Sequence, residues 1–193
     1  MSTRQLASII AAGTVVAVLP QQLQAQRTQG IGLEVSAGYH FLGGDDFRGI
    51  ENAFGFETIG SLAWVTGWEA GVGAGFTSHD LAGPGDASAD IVDVFGEGRY
   101  RFNVPGATIR HPHPFLAGRV GFSRLTLGDG ASASQNGFLV GFGGGVEYWL
   151  TDEVGFLGAG TMNVRSYGDS DEIRVDRSGT DFRIRAGMKV RFQ

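Results

Sequence analysis

The residues best suited to chemistry in this sequence are its four histidines, because the chain contains no cysteine. His111 and His113 flank one proline and could offer two imidazoles to a metal, but transition-metal sites need three or four ligands and none stands nearby. His79, beside Asp80, could form half of a catalytic dyad with a serine, although a solvated loop pair is the favoured interpretation. His40 lies on the polar side of an alternating segment and is expected to be an interior polar residue.

Two groups of acidic residues could bind divalent cations. Asp169, Asp171 and Glu172 stand together in one long connection, and Asp45 and Asp46 stand in another. Carboxylate oxygens are the ligands that Ca²⁺ prefers, but the spacing does not match an EF-hand loop. We therefore expect solvated loop tips, and the sequence predicts no metal site and no cofactor.

The elements that would position these residues are β-strands. The chain has 33 glycines and only 5 prolines, and no extended stretch has the 3.6-residue apolar period of a helix. The last segment, 179–192, alternates most clearly, as expected of a strand between lipid and a polar lumen. One face carries Thr180, Phe182, Ile184, Ala186, Met188, Val190 and Phe192, and the other carries Asp181, Arg183, Arg185, Lys189 and Arg191.

The same two-residue period predicts eight strands. They are longer than the five or six residues typical of soluble strands, and their length suits a tilted crossing of a bilayer. The predicted segments are 31–41, 53–65, 68–77, 91–104, 115–125, 137–150, 154–165 and 179–192. Segment 115–125 fits either parity, and we prefer the one that turns Leu116, Val120 and Phe122 outward and Arg119 inward.

The connections alternate in length. Residues 66–67 and 151–153 form tight turns and 105–114 a somewhat longer one, whereas 42–52, 78–90, 126–136 and 166–178 are long, Gly-rich and acidic. Short turns of transmembrane barrels face the periplasm, so both termini belong on that side and the long loops face outward.

Side-chain size favours a membrane over a soluble, lipocalin-type barrel. Along segment 68–77, Trp68 and Phe76 stand at the two ends of the apolar face with small residues between them, whereas a soluble core would have its bulk in the centre. Across the strands, aromatic residues form two girdles. Near the long loops lie Tyr39, Phe41, Phe54, Phe76, Phe122, Phe138 and Phe182, and near the short turns lie Trp64, Trp68, Tyr100, Phe102, Tyr148 and Phe192.

The opposite face carries charges of both signs. An eight-stranded barrel has room for side chains and little else, so these groups are expected to form a structural ion-pair network rather than to line an open pore. The glycines of 71–75 and 141–145 leave room for the long side chains. The predicted network is Glu34, Glu57, Glu69, Glu97, Arg99, Arg101, Arg119, Glu147, Arg183 and Arg185, together with Asp93.

The N-terminus predicts export. Residues 6–19 are uncharged and too short to span a bilayer as a helix, and Ala25 suits a signal-peptidase site. We expect a signal peptide over 1–25 and a single barrel domain over 26–193, with an uncleaved single-helix anchor as the alternative. The net charge of −5 and the lack of a basic cluster argue against binding to nucleic acid.

With these features the chain resembles the small eight-stranded outer-membrane β-barrel superfamily, which includes OmpA membrane domains, OmpX-like and opacity-like proteins. The resemblance covers the whole predicted mature chain and implies an all-β, antiparallel up-and-down barrel in the outer membrane of a Gram-negative type envelope. The assembly machinery of that superfamily recognises a last strand ending in an aromatic residue. Here Phe192 is penultimate, which departs from the usual pattern.

The implied function is membrane anchoring and surface interaction through the loops. The expected partners are outer-membrane lipid and lipopolysaccharide, the barrel assembly machinery during insertion, and an extracellular ligand of the long loops, with the barrel itself a monomer. A narrow channel for ions or small solutes is the first alternative. A lipid A-modifying enzyme is the second, although the His-x-Ser pair of lipid A deacylases does not occur here.

Overall fold

The structure is a computed structural model that describes residues 28–44, 47, 49–64, 66–82, 88–102, 111–128, 133–168 and 177–192. Eight strands account for nearly all of these residues. In chain order they are β1 Thr28–Gly43, β2 Ala53–Trp64, β3 Trp68–Asp80, β4 Ser88–Arg101, β5 Pro112–Gly128, β6 Ala133–Trp149, β7 Val154–Tyr167 and β8 Arg177–Phe192.

The strands close into a single antiparallel barrel in which each strand pairs with the next and β1 pairs with β8. The register of the closing pair runs from Ile31 opposite Phe192 to Gly43 opposite Thr180. The predicted all-β, up-and-down architecture is therefore confirmed. Among the described residues, no helix is long and apolar enough to cross a membrane.

Alternation separates the two faces of the wall. In β2 and β4, buried inward residues alternate with exposed outward residues along almost the whole strand. In β5, Arg119 is buried while Leu116, Val120 and Phe122 are exposed, which confirms the preferred parity. The barrel thus has an apolar exterior and a polar interior.

The strands extend beyond most of the predicted boundaries. β5 and β6 have 17 residues each, and β3 continues to Asp80 rather than ending at Thr77. Polar pairs on the outward face maintain the sheet beyond the apolar part: Ser78 Oγ donates to Asp90 Oδ1 at 2.6 Å. The alternation of apolar and polar residues therefore predicted only the apolar part of each strand and missed its polar ends.

The interpretation of His79 as part of a solvated loop is wrong. His79 belongs to β3, points inward and has no exposed surface. His40 is buried inside the barrel, as expected, and its ring centre lies 6.4 Å from that of His79.

One end of the barrel carries the connections β1–β2, β3–β4, β5–β6 and β7–β8; we call it the loop end and the other the turn end. At the turn end, the Gly67 carbonyl accepts from the Arg101 N–H at 2.8 Å, and the Thr151 hydroxyl accepts from Val154 N–H at 3.0 Å. The connection predicted at 105–114 is displaced toward the N-terminus rather than shortened, because β4 ends at Arg101, before the predicted 104, and Pro112 already begins β5. The predicted signal peptide, Asp45, Asp46 and the acidic group at 169–172 lie outside the described residues.

Candidate functional site

Within the described residues, the interior of the barrel holds an ion-pair network of seven carboxylates and seven cations. All are buried except Arg101, which is partly exposed, and every one makes an ion pair with at least one other member. The members are Glu34, Glu57, Glu69, Asp93, Glu97, Glu147, Asp181, Arg99, Arg101, Arg119, Arg165, Arg183, Arg185 and Lys189.

The tier nearest the loop end is centred on Arg165. Its guanidinium donates to Asp93 Oδ1 at 2.6 Å and to Asp181 Oδ2 at 2.9 Å. Ser123 Oγ donates to Asp93 at 2.7 Å and lies 2.8 Å from the Tyr167 hydroxyl. Every hydrogen-bonding nitrogen of Arg165 therefore has an acceptor, as a fully buried guanidinium requires.

Arg183 connects this tier to the middle of the barrel. Its Nη2 donates to Asp93 at 2.7 Å and its Nη1 donates to Glu57 at 2.6 Å. Glu57 also accepts from Arg119 at 2.9 Å, and Arg119 donates to Glu97 at 2.6 Å. Charges of opposite sign thus alternate across the lumen.

Arg99 extends the network toward the turn end. It donates to Glu97 at 2.8 Å, to Glu34 at 2.9 Å and to Glu147 at 2.7 Å. Arg185 donates to the other oxygen of Glu34. Bonds of this kind, with an ionised donor and acceptor, are the stronger hydrogen bonds in proteins.

The last tier lies at the turn end. Glu69 accepts from Lys189 and, at 2.9 Å, from Arg101. Lys189 also lies 3.3 Å from Glu147, which joins this tier to Arg99. The ion pairs therefore form one continuous network from Arg165 to Lys189.

Three aromatic rings lie beneath guanidinium groups of the interior. Arg99 stands 4.4 Å above the ring of Phe115, Arg119 stands 4.3 Å above Phe95, and Arg191 stands 4.2 Å above Trp149. Cation–π attraction is stronger where both groups are desolvated, so the rings help to hold the cations in place.

Inward glycines make room for the network. A Cβ at Gly141 would overlap Asn163 Oδ1 and lie 3.0 Å from Arg119 Cγ. A Cβ at Gly73 would lie 2.7 Å from the ring of Phe95, which packs beneath Arg119.

Gly141→Ala is expected to lower the free energy of unfolding by about 1–3 kcal/mol, because the new methyl group must displace Asn163 and Arg119. Gly98→Ala is the matched control: Gly98 faces outward, and nothing lies within 4 Å of its Cβ position. The control is expected to change stability by less than about 0.5 kcal/mol. Urea titrations of both variants in lipid vesicles make the comparison, and equal losses would contradict the packing argument.

The structure places all ten residues of the predicted network, and Asp93, inside the barrel and in the same network. The prediction omitted Arg165, Asp181 and Lys189. Asp181 and Lys189 share the parity of Arg183 and were recognisable from alternation alone. Arg165 stood at the predicted end of its segment, where an inward orientation is hard to distinguish from a loop position.

Above the network, the loop end is closed by apolar side chains. Phe47 is 3% exposed; its ring centre lies 6.3 Å from that of Tyr167, and its ring packs against Gly179. Ala89, Ile91 and Leu125 complete this buried cluster from β4 and β5. We call Phe47 together with residues 49–52 the lid.

The outside of the barrel is apolar. Val72, in the middle of β3, is 72% exposed, and Trp68 and Phe76 stand on either side of it along the strand. Aromatic residues pair across strands near both ends: Phe122 with Phe138 toward the loop end, and Trp68 with Tyr100 toward the turn end. In water such a belt would be an apolar surface far larger than soluble monomers expose.

Several solved structures that match this fold are outer-membrane proteins. Neisserial surface protein A matches with a TM-score of 0.65 at 16% identity, over 86% of this chain and 99% of that one. OprG from Pseudomonas aeruginosa matches with a TM-score of 0.50 at 15% identity, over 86% and 98%. A major outer membrane protein from Thermus thermophilus also matches with a TM-score of 0.50, at 16% identity, over 84% and 99%. The chain has the fold of the small outer-membrane β-barrels.

No family model matches the sequence, and no curated protein does so. The apolar belt and the outer-membrane barrel fold together place this protein in an outer membrane. Within the described part of the barrel, no group of three or more histidine, aspartate or glutamate side chains is arranged to hold a metal ion.

Proposed function

We propose that the protein is a closed, non-conducting barrel that anchors in the outer membrane and presents its loop end to the cell exterior. The observation that carries this proposal is the continuous ion-pair network across the lumen. Seven cations and seven carboxylates lie where a pore would otherwise run, and their charges balance.

Opening a path for ions would require several of these pairs to separate together. Arg119, for example, joins Glu57 and Glu97, and both carboxylates contact further cations. A buried charge that loses its partner is strongly destabilising, so spontaneous opening is expected to be rare. The lid adds an apolar barrier above the network.

Conductance in planar bilayers tests the proposal. The parent protein is expected to give no steady openings, because its lumen is filled. The double variant Glu57→Ala/Arg119→Ala removes two large side chains that pair with each other, so the charge balance is kept while space is created. With Phe47→Ala added to remove the apolar barrier of the lid, this variant is expected to show openings. Steady openings of the parent protein would instead favour the alternative function, a narrow channel for ions or small solutes.

The surface role is assigned to the long loops. We propose that they bind an extracellular ligand or lipopolysaccharide, and that the barrel is a monomer inserted by the assembly machinery. Cells that display the parent chain, or a variant with residues 169–176 replaced by Gly and Ser, can be compared for binding to immobilised host-surface proteins. Reduced binding at equal outer-membrane abundance would support the loop role, whereas unchanged binding would argue against this loop.

We propose no catalytic activity for the interior polar groups. Ser123, inside the barrel, donates a hydrogen bond to the carboxylate of Asp93. Its hydroxyl is also bonded to Arg165 and Tyr167, and the residue is buried at a site that a lipid substrate cannot approach. This arrangement suits a structural hydrogen-bond network rather than a nucleophile.

A further inference from the structure

The lid is attached to the barrel by an isolated β-bridge between Ile50 and Leu81, by a bond from the Leu42 N–H to Asn52 Oδ1, and by two backbone hydrogen bonds. The Glu51 N–H donates to the Asp80 carbonyl at 2.8 Å, and the Ala82 N–H donates to the Gly49 carbonyl at 2.7 Å. Gly49, with a φ of 88°, adopts a backbone conformation that favours glycine and lets the chain turn over the opening. Phe47 is the buried apolar side chain that the lid places in the cluster, and Ile50 packs against the same cluster.

A histidine side chain holds the lid from inside the barrel. His79 Nδ1 lies 2.7 Å from the Glu51 carbonyl oxygen. A carbonyl can only accept, so Nδ1 carries the proton and the neutral ring has none on Nε2. Nε2 is buried, and no described residue forms a hydrogen bond with it.

The charged and titratable groups around His79 come from several strands. His40 of β1 faces it and is itself bonded to Thr77, with 2.9 Å between Nδ1 and Oγ1. The charge of Arg165, on β7, interacts electrostatically with both imidazoles. The carboxylates that interact electrostatically with His79 are Asp80 and Asp90. Glu57 and Asp93, which act on His40, already pair with arginines of the network.

A second proton on His79 would therefore create a buried N–H that no described acceptor receives, close to Arg165 and to a second imidazole. Asp80 is exposed, and Asp90 is partly exposed and already accepts from Ser78, so the stabilisation that these carboxylates give a charged ring is weaker than that of a buried, unshared partner. Outward movement of the lid would bring the charged ring to water. Glu51 would then lose its bond to Nδ1, and Phe47 would leave the apolar cluster.

We propose that the lid is a pH-sensitive closure of the loop end, held shut by neutral His79 and released when His79 is protonated. This closure controls whether water and solutes reach the apolar cluster above the network. It is independent of whether the network below conducts.

A single introduced cysteine can report on the lid, because the chain has no cysteine of its own. Leu125→Cys places a smaller side chain within the buried apolar cluster. Gly168→Cys is the exposed reference, since nothing lies within 4 Å of the Gly168 Cβ position. A membrane-impermeant organomercurial is added to protein in lipid vesicles at about pH 7.5 and at about pH 5, on either side of the ordinary histidine pKa.

The labelling rate of the Leu125→Cys variant, divided by that of the Gly168→Cys variant, is expected to rise at least about tenfold in acid, because local opening controls access to buried groups. His79→Asn in the Leu125→Cys background keeps a donor near the position of Nδ1 but cannot titrate, and it is expected to abolish the rise. Phe47→Ala in the same background is expected to give fast labelling at both pH values. Heat-dependent gel mobility at each pH shows that the barrel itself stays folded.

Three results would overturn the proposal: no acid-dependent rise in the Leu125→Cys variant, a rise that persists with His79→Asn, or slow labelling with Phe47→Ala. If His79→Asn does not fold, His79→Gln provides a second non-titrating side chain, and persistence of the rise in that variant carries the same meaning. A rise that disappears in either variant supports the assignment to His79.

Discussion

Arg183→Met is expected to lower the free energy of unfolding by about 3–5 kcal/mol, because it leaves buried carboxylates without their shared cation. Arg183 is 1% exposed and contacts Glu57, Asp93 and Asp181. Removing the Arg183 guanidinium also breaks the chain of ion pairs between the Arg165 tier and Glu57 in the middle of the barrel. Methionine preserves much of the side-chain volume, so the expected loss comes mainly from charge rather than from a cavity.

Arg124→Met is the matched control for this variant. Arg124 is exposed on the outward face of β5 and donates to Ser134 at 3.1 Å. The same substitution there is expected to cost less than about 1 kcal/mol. Reversible urea unfolding in lipid vesicles, followed by the fluorescence of the three tryptophans, gives both values. Similar losses for the two variants would mean that the interior charges are solvated and do not depend on one another.

The fold was predictable because a membrane barrel imposes one simple rule on its sequence. Each outward position must tolerate lipid and each inward position must fit a small polar interior, so the two-residue period runs through every strand. The strand ends were less predictable. Beyond the apolar belt, residues such as Ser78 and Asp90 still pair across strands, but their hydropathy is that of a loop.

The ion pairs themselves could not be predicted from the sequence. Alternation assigned Glu57, Arg119 and Arg183 to the interior, but Glu57 contacts partners 62 and 126 positions away along the chain. Such contacts depend on strand tilt and register, which determine which residues meet across the lumen. Alternation also gives no reason to expect Phe95, an inward aromatic residue, to lie beneath Arg119.

The loop end was the part of the fold most resistant to sequence reasoning. His79 next to Asp80 has the composition of a loop opening, yet the strand continues through it and its ring contacts the Glu51 carbonyl. Phe47 lies between polar residues with no periodic context, and only the three-dimensional structure shows it filling the barrel mouth. The local sequence encodes neither contact, because both are made with other segments.

Val72→Arg is expected to lower the free energy of unfolding in a bilayer by about 2–4 kcal/mol, the cost of a cation facing lipid near the midplane of a barrel. Val72 is the position for this test because it is 72% exposed and lies midway between Trp68 and Phe76 on β3. If the exposed apolar face contacts lipid, the arginine has no water within easy reach. If that face met water, the same change would have little effect or would improve solubility.

Gly168→Arg is the control for the belt, because it lies just beyond β7 at the loop end and is exposed. An arginine there is expected to cost no more than about 1 kcal/mol, as at the membrane interface. The dependence on bilayer thickness adds a second comparison. In thinner bilayers the Val72→Arg guanidinium can reach the interface more readily, so its penalty should shrink while that of Gly168→Arg stays small. A penalty for Val72→Arg that is equally large in thick and in thin bilayers would exclude lipid desolvation as its cause, and with it the assignment of this face to the membrane.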